Sequence, residues 1–149
     1  NDVTAPALRL YPLYKEVEGT DVPFMMDIYA EEVTNLVGAE FEFTYDPSMV
    51  SFISTGPGSF LETSSHILIE EHDPAAGTVH LTLSTTEDAG VGLTGTGSLV
   101  QISLQRTLSS SSSNTFDLDF SEGAVWTHSS TPNSFSSFSM LVKGVVDLP

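Results

Sequence analysis

The sequence predicts an all-β sandwich or jelly roll. Three observations carry that expectation. Apolar side chains recur with period two in short segments, as in EFEFTYD at residues 40–46, where Phe41, Phe43 and Tyr45 share one face and Glu40, Glu42 and Thr44 the other. Gly, Pro, Asp and Ser interrupt such segments about every 8–12 residues. Helical periodicity is nearly missing. The length of 149 residues suits a single domain, residues 1–149, with a sizeable core.

Taken in order, residues 7–14 read as a first strand, closed by a turn at Glu18-Gly19-Thr20. Residues 22–30 form a second, with Val22, Phe24, Met26 and Ile28 on one face. Residues 31–35 read as a connection, at most one helical turn. Residues 38–45 form the third strand. Asp46-Pro47 stops it, because proline removes a ladder donor and pushes its predecessor to an extended conformation. Residues 49–54 follow, then a turn at Gly56-Pro57-Gly58. SHILIEEH (65–72) and VHLTLSTT (79–86) read as a hairpin around a loop at residues 73–77. That register sets Leu68 opposite Thr82, Glu70 opposite His80, His66 opposite Ser84 and His72 opposite Thr78.

The glycines at 90, 92, 95 and 97 make a connection into a seventh strand at 98–108. Residues 109–113 are a polar loop. Residues 115–120 and 123–128 continue the sheet, and residues 140–148 close it. The expected core is Phe24, Met26, Ile28, Phe41, Phe43, Ile67, Ile69, Leu81, Leu83, Val100, Ile102 and Leu104.

Twenty acidic residues against four Lys and Arg give a formal net charge of −16. Such a chain cannot neutralise a line of phosphates, which argues against nucleic acid, and it is repelled by an anionic membrane surface. No run of apolar residues is long enough for a transmembrane helix, and no export signal is read in the sequence. The acidity itself reads as solubility or salt adaptation, or as partner recognition. With no cysteine, disulfides, thiolate catalysis and Cys-ligated zinc are excluded.

Little points to catalysis. Glu40/Glu42, Glu70/Glu71 and Asp117/Asp119 are carboxylate pairs of the kind a glycosidase uses, but pairs arise readily among twenty acids. His66, His72, His80 and His128 fall in no metal-binding spacing. GPGSF and GTGSL are not nucleophile elbows, and no calcium-loop pattern occurs. An expected Glu70–His80 cross-strand pair reads as a surface contact first, and as a pH-sensitive or metal site second.

Several features in order resemble the cohesin domain of cellulosome scaffolding proteins. They are Glu18-Gly19-Thr20-Asp21-Val22-Pro23, then Tyr45-Asp46-Pro47 with Met49-Val50-Ser51-Phe52, then Thr86-Glu87-Asp88-Ala89-Gly90. Gly97-Ser98-Leu99-Val100 with Ile102 follows, and Gly144-Val145-Val146 closes the set. The likeness spans nearly the whole chain. It implies a nine-stranded jelly-roll β-sandwich without catalytic activity. In that family a flat sheet of the third, fifth, sixth and eighth strands docks the helix pair of a dockerin-containing protein. Calcium is carried by the dockerin, so no cofactor is expected on this chain.

The resemblance places the family's contacts on Gly38 and Glu40, near His66, Leu68 and Glu70, and on Thr82, Ser84, Thr86 and Glu87. The eighth-strand contacts fall loosely within residues 126–130. Leu68, between polar neighbours on an outward face, reads either as an anchor within a polar rim or as a lone exposed apolar residue. The resemblance also implies an extracellular or cell-surface setting among polysaccharide-degrading proteins. Familiar cohesins often carry Asp or Asn where this chain has Gly38 and Glu40, so partner specificity does not transfer.

Two other classes stay open on the residues alone. A carbohydrate-binding module on the same architecture would use exposed aromatics, with Trp126, Tyr11, Tyr14 and Tyr29 as candidates for contact with a polysaccharide. A structural domain of a cell-surface protein would need none of these.

Overall fold

The computed structural model describes residues 7–11, 13–16, 23–60, 66–85, 93–106, 114–121, 124–128, 134–138 and 140–148. They contain strands and turns and no helix. The strands are β1 (Ala7–Tyr11), β2 (Tyr14–Glu16), β3 (Pro23–Thr44), β4 (Val50–Pro57), β5 (His66–Asp73) and β6 (Thr78–Thr85). They continue as β7 (Leu93–Arg106), β8 (Asn114–Phe120), β9 (Val125–His128), β10 (Ser134–Ser137), β11 (Met140–Val142) and β12 (Gly144–Leu148). The expected turn at residues 18–20, the glycines at 90 and 92 and the polar run at 109–113 lie outside the described residues.

β3 organises the molecule. Its first half pairs with β1 and β7, and its second half with β6 and β9. One strand therefore belongs to both layers. Phe24, Met26, Ile28 and Ala30 point inward with period two; Val33, Leu36 and Ala39 then follow at steps of three, before Phe41 and Phe43 restore the alternation. The steps of three are bulges. The register against β7 shifts on both sides of Val33, and Glu32 and Asn35 adopt φ of 52° and 54°. Each bulge turns the strand while keeping an apolar residue inward.

Residues 31–35 are thus continuous bulged strand, where the sequence suggested a connection or helical turn. Two threonines of β7 support the corner. The amide of Glu32 donates to Thr96 Oγ1 and that of Asn35 to Thr94 Oγ1, each at 3.0 Å.

One layer runs β5-β6-β3-β9-β10. The other runs β4-β7-β3-β1-β11. The end of β8 pairs with Phe43 and Thr44 of β3, while its length pairs with β12, which pairs with β2. Leu81, Leu83, Val100, Ile102, Leu104 and Leu118 close the core between the layers. On the outer side of the second layer, the Arg9 guanidinium lies 5.4 Å from the Tyr11 ring centre and 4.8 Å from that of Tyr29, and it pairs with Glu31. This ties β1 to β3 through side chains as well as backbone.

The β5–β6 hairpin departs from the expected register by one residue. Asp73 still pairs with Thr78, so the loop is residues 74–77. Asp73 is the reason. Its Oδ1 accepts from the amides of Ala75 and Ala76 at 3.1 and 3.2 Å, and its carbonyl accepts from the Gly77 amide at 2.9 Å. An Asp-Pro start and a left-handed Gly77, with φ of 73°, close a four-residue loop. A slip of one residue moves every side chain to the other face. Ile69, expected in the core, points outward and is 53% exposed, while Leu68 packs against the core.

Gly77 admits no side chain. A β-carbon there would lie 2.4 Å from the Tyr45 carbonyl oxygen and 2.8 Å from Pro47 Cδ. Gly77→Ala is expected to cost about 1–3 kcal/mol, read by denaturant unfolding. An unchanged midpoint would mean that this loop does not set the hairpin.

Asp27, on the outer side of β3, gives a pH test. Burial holds its carboxyl above the ordinary value of 3.8, opposed by a hydrogen bond from Gln101. The folded state therefore binds the proton more tightly than the unfolded chain, and stability falls as pH rises from that ordinary value through the raised one. Asp27→Asn is expected to raise the melting temperature at neutral pH. Thermal scans should show the gain shrinking as pH falls through the raised value toward 3.8, and absent below it. A gain that is constant with pH would assign the effect to something other than the carboxylate.

Candidate functional site on the β5–β6–β3–β9 layer

The outward side chains of this layer fall into cross-strand rows. Ile69, Thr82, Glu40 and Val125 make the central row. On one side, Glu71, His80 and Glu42 line up. On the other, the backbone positions of Ile67, Ser84, Gly38 and Thr127 line up. Four strands set about 4.8 Å apart hold these rows side by side on one surface.

Of the expected contact residues, Gly38, Glu40, Thr82 and Ser84 come together here. Leu68 and Glu70 do not, because the hairpin register sends them to the opposite side of β5. Leu68 pairs with Leu83 and Glu70 with Leu81. Among the described residues β5 is an edge strand that pairs only with β6. Glu70 stays exposed there and accepts a 2.7 Å hydrogen bond from Thr55 of β4, tethering the layers at their open edge. His66 pairs at the backbone with Thr85 rather than Ser84; its side chain, and all of Thr86 and Glu87, lie outside the described residues.

The residue that sequence reasoning missed is Ile69. Among the described residues it is the one large apolar side chain strongly exposed on this layer; the others, Tyr11, Leu13, Tyr14, Met25 and Ile53, lie on β1, β2, the first half of β3, β4 and the segment between β1 and β2. The Asp73-Pro74 loop start and Gly77 were the signal that would have found it.

Charge on the face is one-sided. Glu40, Glu42 and Glu71 are present, while all four Lys and Arg lie elsewhere: Arg9 on β1, Lys15 on β2, Arg106 on β7 and Lys143 between β11 and β12. His80 is ringed by those carboxylates. Its Nε2 lies 2.8 Å from Glu40 Oε2, a diagonal partner, in place of the expected pair with Glu70. Glu42 is occupied by Ser121, whose hydroxyl donates to Oε1 at 2.8 Å. On the inner side, the Tyr45 hydroxyl and His72 Nε2 are 2.6 Å apart beneath the hairpin. Burial, then the charge of Asp73, raises the pKa of that phenol.

Trp126 alternates inward on β9 and is buried against Phe138, so it offers no stacking surface. Among the described residues no group of three or more His, Cys, Asp or Glu is placed to hold a metal ion.

A family model for the cohesin domain matches residues 21–134. The chain belongs to the cohesin domain family. The matched span takes in β3, β5, β6 and β9 whole, and so the entire face. Solved structures share the fold across nearly the full chain. A non-cellulosomal cohesin from Archaeoglobus fulgidus is 12% identical, with TM-score 0.69, over 96% of this chain and 90% of that one. A type II cohesin domain from the cellulosome of Acetivibrio cellulolyticus is 13% identical, with TM-score 0.74, over 94% of each chain. A type I cohesin–dockerin complex from Clostridium thermocellum is 11% identical, with TM-score 0.73, over 99% and 97%. Comparison with curated proteins returned no match. The jelly-roll sandwich expected from sequence is therefore the fold of this cohesin. At such identities the likeness is one of fold.

The Glu40–His80 pair is largely solvated, with side-chain exposures of 52% and 34%. Exposed pairs contribute little. Glu40→Gln is expected to change unfolding free energy by less than ~1 kcal/mol at neutral pH. A larger loss by denaturant titration would make the pair part of the cohesin's scaffold.

Proposed function

We propose that this cohesin is a non-catalytic docking module whose β5–β6–β3–β9 face binds the helix pair of a dockerin-containing protein. Ile69 carries the reading. An exposed isoleucine set among Thr82, Glu40 and Glu71 has the form of an apolar anchor within a polar rim. The calcium of the complex belongs to the dockerin, and the cohesin supplies none of its ligands. The setting is extracellular or at the cell surface, where the module anchors or assembles proteins of the glycoside-hydrolase type.

The chemistry of the face also describes its partner. Glu40, Glu42 and Glu71 stand without a neighbouring Lys or Arg. A dockerin helix bearing basic residues suits them, and the net charge of −16 steers such a partner from a distance.

The test is a calcium-dependent capture of dockerin-containing proteins from the same organism. Wild type is expected to capture, and chelator to abolish it. Ile69→Asp should lose capture with the melting temperature nearly unchanged. Leu68→Asp should instead lower the melting temperature, because Leu68 packs against the core. Association should slow as salt is added. Absence of capture in both low and high salt, or capture that survives Ile69→Asp, overturns the reading.

A further inference from the structure

The second layer has an outer face that the docking reading leaves unused. Its strands carry three of the exposed large apolar side chains, Tyr11 at 50% exposure, Met25 at 47% and Ile53. One cross-strand row runs over it: Tyr11 of β1, Asp27 of β3, Gln101 of β7 and Gly56 of β4. Three strand spacings make that row about 14 Å long.

Each member has a distinct surface. Tyr11 presents an exposed ring held in place, with the Tyr29 ring 5.5 Å away and Arg9 over both. Asp27 and Gln101 follow, directly opposite one another on β3 and β7. The row ends at Gly56, where a β-carbon would meet nothing within 4 Å. An aromatic plate, a carboxylate and carboxamide beside it, and an open shelf beyond form a linear, shallow track.

We propose that this track binds a neutral polysaccharide, one pyranose ring stacking on Tyr11 and the next sugars presenting hydroxyls to Asp27 and Gln101 over the Gly56 shelf. The apolar C–H face of an all-equatorial pyranose suits a tyrosine ring, and its hydroxyls suit a paired carboxylate and amide. The fixed ring lowers the ordering cost of binding. Neutrality follows from charge: Arg9, the basic residue of the track, is engaged by Glu31, and the chain as a whole repels anionic sugars. The inference is independent of the docking face, which lies on the other layer.

Native affinity electrophoresis tests it, with hydroxyethylcellulose, glucomannan and xylan as neutral probes and carboxymethylcellulose as the anionic one. Retardation is expected in at least one neutral gel and not in the anionic one. Gln101→Ala and Gly56→Leu, which leave the core untouched, should each weaken retention severalfold. Tyr11→Ala should weaken it about tenfold or more. Its melting temperature shows whether β1 stays attached. Ile69→Asp should leave retention unchanged. Mobility unaltered in all three neutral gels, or retention indifferent to Gln101→Ala and Gly56→Leu, overturns the proposal.

Discussion

Everything in this molecule hangs on a strand that turns a corner without ending. β3 must keep an apolar residue inward along its length while passing from one layer to the other. A strict period of two cannot do that, because the layers face each other. The left-handed residues Glu32 and Asn35 solve the problem locally. Each inserts an extra residue, and the hydroxyls of Thr94 and Thr96 take over the backbone hydrogen bonds disturbed there. Both layers are then hydrogen-bonded to one continuous chain, which fixes their relative position and sets the outward rows of the second half of β3 where β6 and β9 can extend them.

Most of this was legible in the sequence. The alternation of Phe24, Met26 and Ile28, and of Phe41 and Phe43, marks buried faces, and every member of the expected core whose side chain is described is buried apart from Ile69. The corner was not legible. Glu31 to Asn35 carries the polar residues typical of a loop, and only the partner strand shows that its amides stay engaged. The hairpin misled for a different reason. Reading Ile67 and Ile69 as core follows from hydrophobicity alone. The Asp73 side chain that closes the loop sets a different register, and the isoleucine pays no heed to the binary pattern. Departures of that kind concentrate where a surface has work besides folding.

The distribution of charge adds to this. Four basic residues cannot balance twenty acids, yet their placement is not uniform. Arg9 braces two tyrosines and Glu31, and Lys143 pairs with Asp117 at 2.7 Å. Both serve internal contacts away from the β5–β6–β3–β9 surface. Among the described side chains, that surface presents Ile69, carboxylates, hydroxyls and His80, and no Lys or Arg of the chain lies on it.

The alternation along β3, β5 and β6 separates two inheritances within the same strands. Inward positions answer to the core and change at a cost in folding. Outward positions such as Ile69, Thr82 and Glu40 answer only to whatever touches them. Substitution there is nearly silent for the fold, so a lineage can exchange partners by small steps without passing through an unfolded form.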